Sequence, residues 1–124
     1  MDTSKKILVV DDSSLMRNFA KGSLKQLKLN NVEEAENGEE ALLKLREERY
    51  DLILSDLHMP NMDGLELLRA VKSDSNLKDI PFIMMTLDGK KDVLLEAVKE
   101  GLNDYLMKPV TAGPLGQKIN KVFT

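Results

Sequence analysis

The chain has 124 residues, 42% hydrophobic and 31% charged, and a net charge of −3 with acids and bases interspersed. That length suits one domain, residues 1–124, with a proper core, and the lack of a basic face argues against nucleic acid as a direct partner. No apolar run approaches a membrane span, the polar start Met1-Asp2-Thr3-Ser4-Lys5-Lys6 is no secretory signal, and without cysteine there are no disulfides or thiolate metal sites, which together fit a cytoplasmic location.

Taken in order, the elements alternate. Lys5 to Val10 is a short apolar run that reads as a strand buried on both faces, and it stops at Asp11-Asp12. Ser13 or Ser14 can cap a helix in which Leu15, Met16, Phe19, Ala20, Leu24 and Leu27 recur at helical spacing, with Asn30-Asn31 as its breaker. Val32-Glu33-Glu34-Ala35 is too charged for a sheet centre and reads as an edge strand. Asn37-Gly38 turns into a helix over 39–48 with Ala41, Leu42 and Leu45 as its stripe. A second buried strand over 51–55 ends at Asp56, because Pro60 and Gly64 forbid its continuation, and a helix over 64–73 turns Leu65, Leu68 and Val71 inward. A fourth strand over 80–85 tolerates Pro81 near its start and closes on Thr86. Gly101 can end a helix over 91–100, and a fifth strand over 103–107 ends at Lys108-Pro109. The last helix, over 111–124, carries Leu115, Ile119, Val122 and Phe123; Pro114 is acceptable as a first helical residue, while Gly113 and Gly116 weaken its start.

Five strands alternating with five helices imply an α/β, doubly wound, five-stranded parallel sheet covered on both faces, with right-handed crossovers. Ligands in such sheets bind beyond the carboxyl ends of the strands. Two strands deliver Asp11, Asp12 and Asp56 to that edge, where Asp56 reads as a phosphate acceptor and Asp11 and Asp12 as holders of a divalent cation. Carboxylates this close repel by about 1 kcal/mol per pair at 4 Å in water and about 4 at a surface-like dielectric, so a hard cation such as Mg2+ is needed.

The stretches Val9-Val10-Asp11-Asp12-Ser13, Ala35-Glu36-Asn37-Gly38-Glu39-Glu40-Ala41-Leu42, Ser55-Asp56 with Met59-Pro60-Asn61-Met62-Asp63-Gly64, the lone Thr86, and Gly101-Leu102-Asn103-Asp104-Tyr105-Leu106-Met107-Lys108-Pro109 stand in a telling order and spacing. From Ile7 to Phe123 the chain resembles the response-regulator receiver domains of the stand-alone, CheY-like kind. The resemblance implies the flavodoxin-like strand order 2-1-3-4-5, which puts the ligand edge between the first and third strands. It also implies Mg2+, with Mn2+ as a substitute, held by Asp12 and Asp56, by the main-chain carbonyl of His58, and by Asp11 mostly through water. Asp56 would take a phosphoryl group from a sensor histidine kinase as an acyl phosphate. Lys108 would pair with the phosphoryl oxygens, Thr86 would donate its hydroxyl to them, and Tyr105 would turn inward as Thr86 moves.

By the same resemblance the chain is a phosphoacceptor switch and not an enzyme, although it assists its own phosphorylation and dephosphorylation. Its expected output is chemotaxis-type, through a downstream target such as a flagellar motor protein, with a phosphatase as a further partner. The alternative is a phosphorelay intermediate that passes its phosphoryl group to a histidine phosphotransfer protein. His58 stands where the family varies the side chain, so its imidazole is expected to face solvent and tune phosphoryl lifetime. Leu87 departs from the small residue usual after the threonine and is expected to shield the acyl phosphate or hinder its donor; Asp88 is a second tuning position. Leu94 is expected to point outward from the fourth helix and to form, with Tyr105 and the last helix, the face that meets partners. Asp63 and Gly64 shape a turn, and Asp63 is no ligand.

Plainer roles exist for single residues: a solvated helix N-terminus for Asp11-Asp12, a strand cap for Thr86, a surface lysine for Lys108. A haloacid dehalogenase-type phosphatase would need an acid where His58 stands. A flavodoxin-type cofactor site would have its phosphate repelled by Asp11-Asp12. A degenerate receiver that works without phosphate conflicts with the presence of all five site residues.

Overall fold

The computed structural model describes residues 2–87 and 91–123. The elements are β1 (Ile7–Val10), α1 (Ser14–Gln26), β2 (Val32–Ala35), α2 (Gly38–Glu47), β3 (Leu52–Asp56), α3 (Gly64–Ser73), β4 (Phe82–Thr86), α4 (Lys91–Lys99), β5 (Asp104–Met107) and α5 (Ala112–Val122). All strand pairs are parallel, in the order β2-β1-β3-β4-β5, as the family resemblance implied. The charged β2 lies at an edge, where Glu33 stays exposed and Glu34 pairs with Arg17 and Lys21 of α1.

Successive side chains on a strand point to opposite faces, and this alternation divides the core in two. Leu8, Val10, Ile53, Phe82 and Met84 pack under α2, α3 and α4, whereas Ile7, Val9, Leu52, Leu54, Ile83, Met85 and Leu106 pack under α1 and α5. The central strands β1, β3 and β4 are buried throughout, which is why their sequences are apolar up to the polar residues that close β3 and β4. No helix among the described residues is long and apolar enough to cross a membrane.

Several expectations shift. The first helix ends before Asn30-Asn31: Lys28 adopts φ 65°, Leu29 N–H bonds Leu24 O at 2.9 Å and Lys28 N–H bonds Lys25 O at 2.9 Å. That pair of bonds is the Schellman arrangement, usually made with glycine at the left-handed position, and here buried Leu29 packs with Leu24 to hold it. Leu15 and Phe19 stand exposed, while Ala20 and Leu24 face the sheet. Gly116, which read as a weakness of the last helix, sits where α5 meets α1: a Cβ there would lie 3.0 Å from Leu27 Cδ2. Pro114 is the third residue of α5, still among the N–H groups that have no partner inside a helix.

Leu94 requires a correction. It does not point outward: it is 7% exposed, one turn from fully buried Ala97, whereas Leu95 and Val98 are 58% and 56% exposed. Three consecutive apolar residues fix no helical phase, and the i, i+3 pair of Leu94 with Ala97 decides it.

Candidate functional site

β1, β3 and β4 lie side by side, so their carboxyl ends deliver Asp11, Asp56 and Thr86 to one edge of the sheet. Asp56 is the last residue of β3 and pairs in register with Met85, which places Thr86 one step beyond it on the neighbouring strand. β5 joins them through Lys108 N–H, which bonds Thr86 O at 2.8 Å. The β1–α1 turn is tightened by Ser13 N–H to Asp11 Oδ1 at 3.0 Å, and Ser13 Oγ caps α1 by accepting from Met16 N–H at 3.2 Å.

The β3–α3 loop turns back sharply over the end of its strand. Gly64 N–H bonds Leu57 O at 2.9 Å, and a Cβ at Gly64 would collide with the Asp56 carbonyl oxygen and lie 2.9 Å from Leu57 Cα. Glycine is required there by close approach. Asp63 caps α3 in a reciprocal box with Glu66.

Ligand atoms of Asp11, Asp12 and Asp56 all lie within 4.8 Å of one another. Asp11 is fully buried and Asp56 nearly so, while Asp12 is exposed. Lys108 Nζ reaches both buried acids, 2.7 Å from Asp11 Oδ2 and 3.1 Å from Asp56 Oδ1, with its side chain only 6% exposed. Burial alone would lower the Lys108 ammonium, but the Asp11 and Asp56 carboxylates more than offset that and hold it above the usual lysine value. Asp56 is held above the usual aspartate range, by burial first and by the Asp11 charge second, with Lys108 pulling the other way.

Among the described residues one ammonium stands against three carboxylates, which leaves an excess of negative charge. The donors are hard oxygens, one of them open to solvent, which is a donor set a small divalent cation takes while retaining several waters. Asp11, Asp12, Asp56, Thr86 and Lys108, singled out in the sequence, are thus brought together.

The remaining candidates lie around this group. The His58 side chain is exposed, two residues past Asp56. Leu87 follows Thr86 and is 68% exposed, and Asp88 lies outside the described residues. Tyr105 is 40% exposed, beneath the Lys118 ammonium at 5.7 Å from the ring centroid. One contact had no signal in the sequence beyond a basic residue early in a helix: Arg17 folds back from α1, and its guanidinium donates to the Asp11 carbonyl at 2.6 Å.

The comparisons with known proteins agree with this geometry. The chemotaxis protein CheY of Pseudomonas aeruginosa is 44% identical over 118 residues, which span 95% of either chain. The structure of the chemotaxis protein CheY4 of Vibrio cholerae superposes with a TM-score of 0.87 at 34% identity, covering 95% of this chain and 98% of that one. A receiver domain of a sensor histidine kinase from Pseudomonas aeruginosa, solved with a magnesium ion coordinated in its active site cleft, superposes with a TM-score of 0.86 at 26% identity over 97% of this chain and 98% of that one. A family model described as the response regulator receiver domain matches residues 7–120, and the chain therefore belongs to the CheY-like response-regulator receivers of two-component signalling.

Proposed function

We propose that Asp56 accepts a phosphoryl group from a sensor histidine kinase in a Mg2+-dependent reaction and that the product switches binding to a partner protein, with a chemotaxis-type output. The observation that carries this reading is the convergence of three carboxylates within 4.8 Å of one another at the carboxyl end of the central strand, two of them paired with Lys108. A carboxylate oxygen of Asp56 attacks phosphorus as the P–N bond of the donor phosphohistidine breaks; the imidazole nitrogen leaves with the electron pair and takes up a proton, and Asp56 becomes an acyl phosphate. Mg2+, when bound, neutralises charge on the carboxylates and on the transferring phosphoryl oxygens.

Asp12, Asp56 and the main-chain carbonyl of His58 would hold that ion, with Asp11 acting mostly through water and Mn2+ able to replace Mg2+. Lys108, already within 3.1 Å of Asp56, turns its ammonium toward the phosphoryl oxygens as Asp56 gives up its carboxylate charge. The Thr86 hydroxyl moves to the same oxygens, and the Tyr105 ring, now half outside, turns into the space left behind. That contact exists only in the phosphorylated state, which is what a population shift requires. On α4 the exposed Leu95 and Val98 take the partner-facing part first expected of Leu94, alongside Tyr105. The exposed Leu87 side chain and the His58 imidazole set how long the acyl phosphate lasts by limiting water's approach. The chain in this reading is a switch that assists its own phosphorylation and dephosphorylation.

The test is intact mass after incubation with acetyl phosphate or phosphoramidate, with Mg2+ or with EDTA, for the parent and for Asp56→Asn. Gain of one phosphoryl group by the parent in Mg2+ alone supports the reading. A similar gain in Asp56→Asn, or no gain in the parent, overturns it.

A further inference from the structure

Asp11 lies one residue past the paired part of β1, where the sheet ladder has stopped. Its N–H is still taken by β2, bonding Ala35 O at 3.0 Å, and its carbonyl oxygen accepts from Arg17 Nη1 at 2.6 Å. The same guanidinium donates Nε–H to Glu34 Oε1 at 2.9 Å, and Glu34 stands on β2 in register with Val9 of β1. The other oxygen of Glu34 accepts from Lys21 at 3.0 Å. Arg17, whose side chain is 11% exposed, thus lies over the end of β1 with its charge matched by a carboxylate that takes no part in the Asp11, Asp12 and Asp56 group. Its planar fork replaces the missing strand partner of the Asp11 carbonyl and leaves the cation-binding carboxylates alone.

We propose that Arg17, with Glu34 as its counter-ion, is a positioning residue of the cation site: it fixes the Asp11–Asp12 peptide, and so the direction in which the exposed Asp12 carboxylate meets Asp11 and Asp56. This rests on the reading that those three acids hold a divalent cation. An ammonium at position 17 keeps the charge but cannot hold a carbonyl and a carboxylate in the fork geometry. Loss of the Glu34 charge frees the guanidinium to swing onto the acids and compete with the metal.

The probe is Mn2+ alone, with its dissociation constant read from the electron paramagnetic resonance of the free ion, beside urea unfolding in EDTA. Arg17→Lys weakens Mn2+ by about 10-fold or more, the size expected on losing an outer partner of a metal ligand, and Glu34→Gln weakens it in the same direction. Lys21→Gln, which leaves Arg17 in place, and Leu45→Ala, a core lesion under α2, leave Mn2+ affinity unchanged whatever they cost in stability. Binding by Arg17→Lys within about 2-fold of the parent overturns the proposal, as does an equal loss in Leu45→Ala. Should Arg17→Lys fail to fold, unchanged affinity in Glu34→Gln overturns it. A parent that binds no Mn2+ overturns the cation-site reading as well, whereas normal parent binding with normal Arg17→Lys binding removes the positioning role alone.

Discussion

Asp56→Asn should stabilise the metal-free protein. In the absence of a cation, Asp56 sits within 4.8 Å of the carboxylates of both Asp11 and Asp12, and 3.1 Å from the Lys108 ammonium. At an effective dielectric of about 20, each repulsion is about 3.5 kcal/mol and the attraction about 5 kcal/mol, so the two repulsions exceed the one attraction by about 2 kcal/mol. The variant also removes the burial penalty that heads the causes of the raised Asp56 pKa, and it keeps a buried amide that needs a partner. The expected net gain is about 1–2 kcal/mol, or about 5 °C in Tm for a chain of this size. The assay is urea and thermal unfolding in EDTA.

The sign with pH follows from the direction of the shift. Because the folded-state pKa of Asp56 lies above its unfolded value near 3.8, its contribution to stability is greatest below that value and is lost as pH rises through the folded pKa. The advantage of Asp56→Asn is therefore absent below about pH 3.8 and develops as pH rises through the folded pKa. Mg2+ at about a hundred times its dissociation constant adds about 2.7 kcal/mol to the parent and much less to a variant lacking one ligand, which narrows or reverses the order. An Asp56→Asn variant less stable than the parent in EDTA at neutral pH, or one stabilised equally by Mg2+, would refute the reasoning.

Lys108→Ala removes the one ammonium among the described residues that reaches both buried acids, and it should cost about 3–5 kcal/mol in EDTA by urea unfolding, with Mg2+ restoring part; a loss under about 1 kcal/mol contradicts the buried pairing. Gly64→Ala pushes a methyl group against the Asp56 carbonyl, so it should cost about 1–3 kcal/mol and weaken Mg2+ binding, because the displaced loop carries His58; calorimetry reads both. Leu87→Ala should lose its phosphoryl group several times faster than the parent after gel filtration into donor-free buffer, and equal or slower loss removes the shielding role.

Strands β1, β3 and β4 were legible because buried parallel strands read as apolar runs, and these three end at Asp11, Asp56 and Thr86. Their lateral order was not. Nothing in an apolar run says which neighbour it pairs with, and the order came from the family motifs. Helix phase was readable where polar residues flank the stripe, as around Ala41 and Leu45, and failed at Val93-Leu94-Leu95, where all three are apolar. The end of α1 was misplaced because lysine holds the left-handed position that glycine would have advertised.

At the site, the carboxylates could be named from residue type and placement, and the lysine from the family resemblance. Their division of labour could not: Lys108 lies closer to Asp11 than to Asp56, and Asp11 is also the more deeply buried of the two. Arg17 escaped notice because its effect runs through a main-chain carbonyl, and no side-chain pattern records a carbonyl that has lost its strand partner.

The most direct measurement is the location of the phosphoryl group after incubation with phosphoramidate, fixed by borohydride reduction of the acyl phosphate and peptide mapping. One modified position, Asp56, formed in Mg2+ and absent in EDTA, is the expected result. Label on any other residue, or label on Asp56 that forms equally well in EDTA, would contradict the convergence of acids, cation and lysine on which the function rests.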